Sequence, residues 1–219
     1  KKFKPKIVIT ALGSPERVIE TVHAYGGMVI ADVNNINFAR RCADMDVDGM
    51  ALICHGAGGH TGHLSPFSFT AYVREFFDGL IVLAGSISTG NHIRAAKLLG
   101  ADLSYMGTRF ISAQESNAVN EYKSMIINST YDDLRLTNLF TGADAYYLKD
   151  SIINNNLDPD NLDSNTDGFN VSASQDKIKA WKDIWSAGQG VGLIKNIESV
   201  ESIVHKLEFE FVQGAGHEN

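Results

Sequence analysis

Short apolar runs recur along the chain, and each gives way to a stretch with helical spacing. The runs cover residues 7–10, 28–33, 50–53, 80–84 and 102–106, and their starts lie 21, 22, 30 and 22 residues apart. That interval is the length of a βα unit, longer than the roughly 8–12 residues between turns in a sandwich or barrel of antiparallel strands. Most runs are continuously apolar rather than alternating, as expected of parallel strands covered on both faces. The stretches between them carry helix punctuation. Ser14 and Pro15 form a start signal before Val18, Val22 and Tyr25, and Gly26-Gly27 stop that helix. Ser65-Pro66 repeats the signal before Phe69, Val73 and Phe76. After Thr89, Ile93 and Ala96 give a third stripe that Gly100 ends. Five βα units with no hairpin between them predict an α/β protein with a parallel sheet, either doubly wound or part of a barrel.

Beyond Phe110 this rhythm stops. Helices are expected over 115–127, 177–185 and 200–207, with an Asp/Asn/Ser-rich loop over 157–174 and no further strand. The expected organisation is therefore residues 1–113 as βα units and 114–219 as a helical and loop extension packed on them.

Parallel sheets of either kind bind ligands at the carboxyl ends of their strands. Three strand ends are unusual. Cys54-His55-Gly56-Ala57-Gly58-Gly59-His60-Thr61-Gly62-His63 follows the third run and places four glycines around His60. Such a loop lets a flat ligand or a phosphate approach the backbone closely, and an imidazole presented in it can serve as a general base near neutral pH. The bland reading is a glycine-rich turn with surface histidines, and the residues alone lean slightly that way. A metal reading of Cys54, His55, His60 and His63 lacks the rigid element or recurrent spacing of zinc sites. The other two ends are Ala84-Gly85-Ser86-Ile87 and Met106-Gly107-Thr108-Arg109, each a strand, a glycine and a helix start. Together they describe two adjacent sets of backbone N–H groups aimed at one anion, the way barrels bind a phosphate. Neither the G-x-G-x-x-G of a dinucleotide fold nor a Gly-Lys-Ser/Thr phosphate loop is present.

Composition narrows the partners. A net charge of −7 and a pI of about 5.4 exclude a phosphate-tracking surface, so no nucleic acid is expected. No apolar run is long enough to span a bilayer, and the first residues lack the hydrophobic stretch of a secretory leader. A cytoplasmic protein is expected, with no membrane partner and Cys42 and Cys54 as reduced, buried thiols. The sequons at Asn128 and Asn170 are then incidental. A homo-oligomer is left open. Trp181 and Trp185, four apart, read as packing residues on a helix, His92 as a surface residue and Arg109 as a surface or ion-paired group.

The ordered combination of Ala57-Gly58-Gly59-His60-Thr61-Gly62, Ala84-Gly85-Ser86-Ile87 with Gly90, Leu99-Gly100-Ala101-Asp102 and Met106-Gly107-Thr108-Arg109-Phe110 resembles the nitronate monooxygenases, formerly called 2-nitropropane dioxygenases. Phe140-Thr141-Gly142 and Gly188-Gln189-Gly190 extend the likeness into the tail, so that it spans most of the chain. The resemblance implies a (β/α)₈ TIM barrel with non-covalent FMN. It implies His60 as the residue that removes the α-proton of a nitroalkane or positions a nitronate. Ala84, Gly85 and Ser86 with Met106, Gly107 and Thr108 would hold the phosphate, while Ala57, Gly58 and Gly59 would let the flavin ring lie close. The implied reaction consumes a nitroalkane or nitronate with O₂ and yields a carbonyl compound and nitrite. Rival expectations are a flavin-dependent enoyl-acyl-carrier-protein reductase, whose barrel shares the glycine-glycine-histidine loop, and a catalytically incomplete flavin-binding fragment.

Two residues depart from the pattern. Gly56 stands where many members have Glu, and Ser86 where a second glycine is usual. Length departs as well. Five strands are present where a closed barrel needs eight, so the chain reads as the C-terminal part of a longer barrel.

Overall fold

The structure is a computed structural model that describes residues 3–162 and 180–213. Five parallel strands form its main sheet: β1 (Ile7–Thr10), β2 (Met28–Val33), β3 (Gly49–Ile53), β5 (Leu80–Ala84) and β6 (Leu103–Tyr105). Their order in space is β1-β2-β3-β5-β6, the order of the chain. A doubly wound sheet reverses its order at a switch point. Here every step goes the same way, which is the barrel arrangement and resolves the choice that periodicity left open.

The connecting helices are α1 (Glu16–His23), α2 (Ile36–Asp44), α3 (Pro66–Arg74), α4 (Gly90–Leu98) and the single turn α5 (Thr108–Ile111). Their starts follow the punctuation in the sequence. Pro66 opens α3, and the Thr89 hydroxyl accepts from the His92 N–H at the head of α4. Ala31, Val33, Met50, Leu52, Ile81 and Leu83 turn toward the helices and pack with Phe69, Val73 and Ala96 into the main core. The opposite face carries Ile30, Ala51 and Val82.

One device recurs at the foot of the sheet. Asp48, just before β3, accepts the Val29 N–H of β2 at 2.7 Å, and Asp102, just before β6, accepts the Ile81 N–H of β5 at 2.8 Å. Each carboxylate also has a basic partner, His23 at 2.8 Å and Arg74 at 2.7 Å. Burial pushes both carboxyls up, but these hydrogen bonds outweigh it and hold them below the ordinary carboxylate value.

The tail differs from expectation. It contributes two strands, β7 (Leu134–Thr137) and β8 (Ala145–Leu148), which pair antiparallel with each other and with the two-residue β4 (Gly59–His60). Four-residue strands carry too few positions for a period to register, and β8, to which β7 pairs, finds its other partner 85 residues away in the His60 loop, where Gly59 faces Tyr146 and His60 faces Ala145. Among the described residues the tail's α-helices are α6 (Asn120–Asn128), α7 (Lys149–Ile153) and α8 (Val200–Gln213). Ile203 and Leu207 of α8 pack with Ile93, Met106, Phe110 and Ala113. Glu210 caps α4 by accepting the Gly90 N–H at 2.8 Å, an approach that a side chain at residue 90 would block. The loop expected over 157–174 is described only to Leu162, and the helix expected over 177–185 only from Ala180. From there a tight turn closed by an Ala180–Ile184 bridge replaces the helix. Trp181 and Trp185 therefore sit on two sides of a turn. Trp185 stacks on Tyr122, and Trp181 on Tyr147.

Candidate active site

A cavity of about 620 Å³ opens at the carboxyl ends of the parallel strands. Ala57, Gly58 and His60 reach it from the loop after β3. Ala84, Gly85 and Ser86 reach it from the end of β5, and Gly107 and Thr108 from the end of β6. Eight of the ten residues singled out in the sequence therefore share one cavity. Gly59 and Met106 do not line it: Gly59 faces Trp181, and Met106 packs under α4 and α8. The cavity also takes in Asp32 and Asn34 from β2 and its end, Tyr105 from β6, and Gly188 and Gly190 from the tail. Asp32 carried no sequence signal, because a lone Asp inside an apolar run has no spacing to distinguish it.

His60 is held by the tail. Its Nε2 lies 3.0 Å from the Thr141 hydroxyl, and that hydroxyl donates its own proton to the Ala143 carbonyl at 3.1 Å. Thr141 must then accept, so the hydrogen-bond pattern puts a proton on Nε2 and leaves Nδ1 as the basic nitrogen. The imidazole also meets the Trp181 ring edge-on, with centroids 5.4 Å apart. Thr141 belongs to the Phe140-Thr141-Gly142 motif, and Phe140 packs edge-on against Tyr147, the residue on which Trp181 stacks. The motif thus builds the wall and the hydrogen bond that orient His60. The other candidate ligands of the loop are engaged elsewhere. His55 pairs with the Tyr146 hydroxyl at 3.0 Å, His63 with Asp144 at 3.1 Å, and burial pushes the Cys54 thiol up to about 12.

Glycines of this loop serve two different ends. A Cβ at Gly58 would lie 2.6 Å from Thr108 Oγ1 and 2.7 Å from the Gly188 nitrogen, so its bareness lets three loops close on one another. Thr108 Oγ1 completes that contact by accepting the Gly188 N–H at 2.9 Å. Gly56, at φ +85°, leaves room for Ser86 and Gln189: a Cβ there would meet Ser86 Oγ at 2.2 Å and Gln189 Oε1 at 2.6 Å. The two departures from the family pattern therefore occupy the same space. Ser86 stands where a side chain at residue 56 would go, and it adopts a left-handed φ of +56°, which explains why glycine is usual there.

The phosphate turns also fit an anion. Among the described residues the N–H groups of Gly85, Ser86, Ile87 and Gly107 donate to no backbone oxygen, and Gly107 has open space where a Cβ would be. These turns lie on adjacent strands, β5 and β6, at one cavity wall. Arg109, beyond the second turn, does not enter the wall. It is buried and paired with Glu198. His92 accepts the Ser88 N–H and so braces the first turn.

The model of the nitronate monooxygenase family matches residues 1–210. A Staphylococcus saprophyticus protein that carries the name nitronate monooxygenase is 30% identical over 229 residues, covering 93% of this chain and 63% of that protein. Among solved structures, FabK of Thermotoga maritima superposes with a TM-score of 0.82 at 23% identity, over 98% of this chain and 70% of that one. Nitroalkane oxidase of Streptomyces ansochromogenes superposes with a TM-score of 0.74 at 24% identity, over 96% and 65%. At these identities the two structures establish the fold. The chain spans 60% to 63% of the length of the curated relatives it matches along most of its own.

Proposed function

This chain belongs to the nitronate monooxygenase family, and on that footing we propose that it oxidises nitroalkanes and nitronates with O₂ to carbonyl compounds and nitrite, with FMN as cofactor. The observation that carries the proposal is His60, presented at the cavity by a hydrogen bond to Thr141 beside two anion-binding turns. The free N–H groups at Gly85, Ser86 and Gly107 would hold the FMN phosphate, with Thr108 alongside, while Ala57 and Gly58 border the space for the ring. The redox step with O₂ is chemistry that bound FMN supplies.

The protein's own part is proton transfer and orientation. Thr141 fixes the imidazole so that its unprotonated nitrogen is the acceptor for the α-proton of a nitroalkane. Trp181 covers one side of the ring and limits its rotation. A pre-formed nitronate has already lost that proton and bypasses the step.

His60→Asn tests the role. In protein carrying flavin absorbance, kcat/KM for neutral nitroethane is expected to fall by about a hundredfold or more, the usual contribution of a general base. Turnover of pre-formed ethylnitronate is expected to stay within about tenfold, since no proton has to be removed. Equal losses on both substrates would remove His60 as the base. Wild-type protein that binds flavin, releases no nitrite and instead reduces an enoyl thioester with NAD(P)H would move the chain to the rival reductase reading.

A further inference from the structure

The face of the main sheet turned away from the helices is apolar with one exception. Strand register arranges it in rows. Ile9, Ile30, Gly49 and Leu80 form one; Asp32, Ala51, Val82 and Leu103 form the next; Ile53, Ala84 and Tyr105 form the rim. Asp32 is the one ionisable residue in the two lower rows. It lines the same cavity as His60, and its Oδ1 is shut off from solvent with no hydrogen-bond partner among the described residues. Buried polar atoms are nearly always paired; Oδ1 is not, and the half-buried side chain that carries it lines the cavity, where a ligand can meet its carboxyl. Asp48 and Asp102 show the contrast, since each of those carboxylates is held by a backbone N–H and a basic side chain.

We propose that Asp32 is a second catalytic residue for the nitroalkane substrate, hydrogen-bonding an oxygen of the nitro group while His60 removes the α-proton. This inference rests on the function proposed above. In that step the C–H bond breaks and its proton goes to His60. The electron pair forms a C=N bond, and a pair from the N=O bond moves onto the oxygen that faces Asp32. Charge therefore grows where a neutral carboxyl can donate, the arrangement that lowers the barrier to such proton removals. An ionised carboxylate would repel that charge. The ionisable side chains that share the cavity are His60, Arg41 from α2 and Tyr105 from β6, while the row of the sheet that holds Asp32 continues through Ala51, Val82 and Leu103. No cation stands in that row to hold Asp32 ionised, and burial pushes its carboxyl up.

Asp32→Ala and Asp32→Asn are compared in flavin-containing protein. Asp32→Ala is expected to lower kcat/KM for nitroethane about a hundredfold, the loss typical of one oxyanion donor. Asp32→Asn keeps a neutral donor and is expected to stay within about tenfold of wild type, without the decline expected of wild type as pH rises through the raised Asp32 value. In the ligand-free protein, relief of an unpaired buried carboxyl is expected to raise the Tm of both variants, whereas a merely structural role predicts that both lose Tm. Wild-type rates in Asp32→Ala, or Tm losses in both variants, would overturn the proposal. If wild type binds flavin but releases no nitrite, the nitroalkane reading fails, and propyl-1-nitronate binding then judges Asp32 by thermal shift. A shift lost in Asp32→Ala and kept in Asp32→Asn sustains the contact, and an unchanged shift in both removes it.

Discussion

Gly56 and Ser86 show how a single residue acquires its meaning from another. Each departs from its family's pattern, and in the fold the two share one space: a methyl at residue 56 would sit 2.2 Å from the Ser86 hydroxyl oxygen. Gly56→Ala also places alanine at φ +85°, and the expected cost is about 2 kcal/mol or more from backbone strain and overlap. Ser86→Gly removes a left-handed serine and is expected to stabilise the protein by up to about 1 kcal/mol. Because the two sites touch, the double variant should recover part of the Gly56→Ala loss. Urea midpoints for the four proteins give the coupling, and strict additivity would show that the overlap is relieved by movement elsewhere. At this scale the sequence singled out His60 and its glycines, and the fold adds packing work that the sequence did not show. Gly58 is bare because Thr108 and the backbone of Gly188 press on it, not because of a flat ligand alone. That pressure comes from loops 50 and 130 residues away and leaves no local mark.

Elements that repeat were the ones legible in advance. The five parallel strands and the starts of α3 and α4 follow from apolar runs at βα spacing and from Pro66 and Thr89, because each signal is local. β7, β8 and the turn that carries Trp181 were not: β8 is placed by pairing with the distant His60 loop, and Trp181 by stacking on Tyr147. The Asp48 and Asp102 links belong to this scale too, since each ties one βα unit to the next. Their folded pKa values lie below the ordinary carboxylate value of 3.8. The stabilisation is therefore present above that value and lost as pH falls through the lower folded values. Wild-type urea stability should decline in that acid window. Asp102→Asn should be less stable than wild type at neutral pH and converge with it in acid, and a constant difference across pH would show that charge plays no part. Asp32 behaves oppositely: its raised carboxyl favours folding below the unfolded value and opposes it as pH rises through the folded one.

Considered as a whole, the described structure leaves apolar surface on the inner side of its sheet. Ile7, Ile9 and Met28 near β1, and Leu103 and Tyr105 on β6, are each more than a third exposed, and they flank the two edge strands. Unpaired parallel edges beside an apolar face are association-prone. The 219-residue chain expressed by itself is expected to elute above its 23.9 kDa mass, and Ile9→Lys with Leu103→Lys should shift it toward that mass. Elution of the unaltered chain as a 23.9 kDa species would show that this face is covered. Among the described residues no helix is long and apolar enough to cross a membrane.

The rhythm of apolar and polar positions by itself determined an α/β chain of five βα units with a glycine-flanked histidine at one strand end and two glycine-containing turns at the next two. Those are properties of short segments, carried by side-chain period and by glycine and proline. Only the tertiary structure decided that the strands run in barrel order and that the tail returns as two strands to grip the His60 loop. It alone set the hydrogen bond from His60 to Thr141, and it alone turned Asp32 into the same cavity with its Oδ1 unpaired among the described residues. Each of these depends on which distant segments meet, and contacts between distant segments are set by packing and closure of the whole chain rather than by any local run.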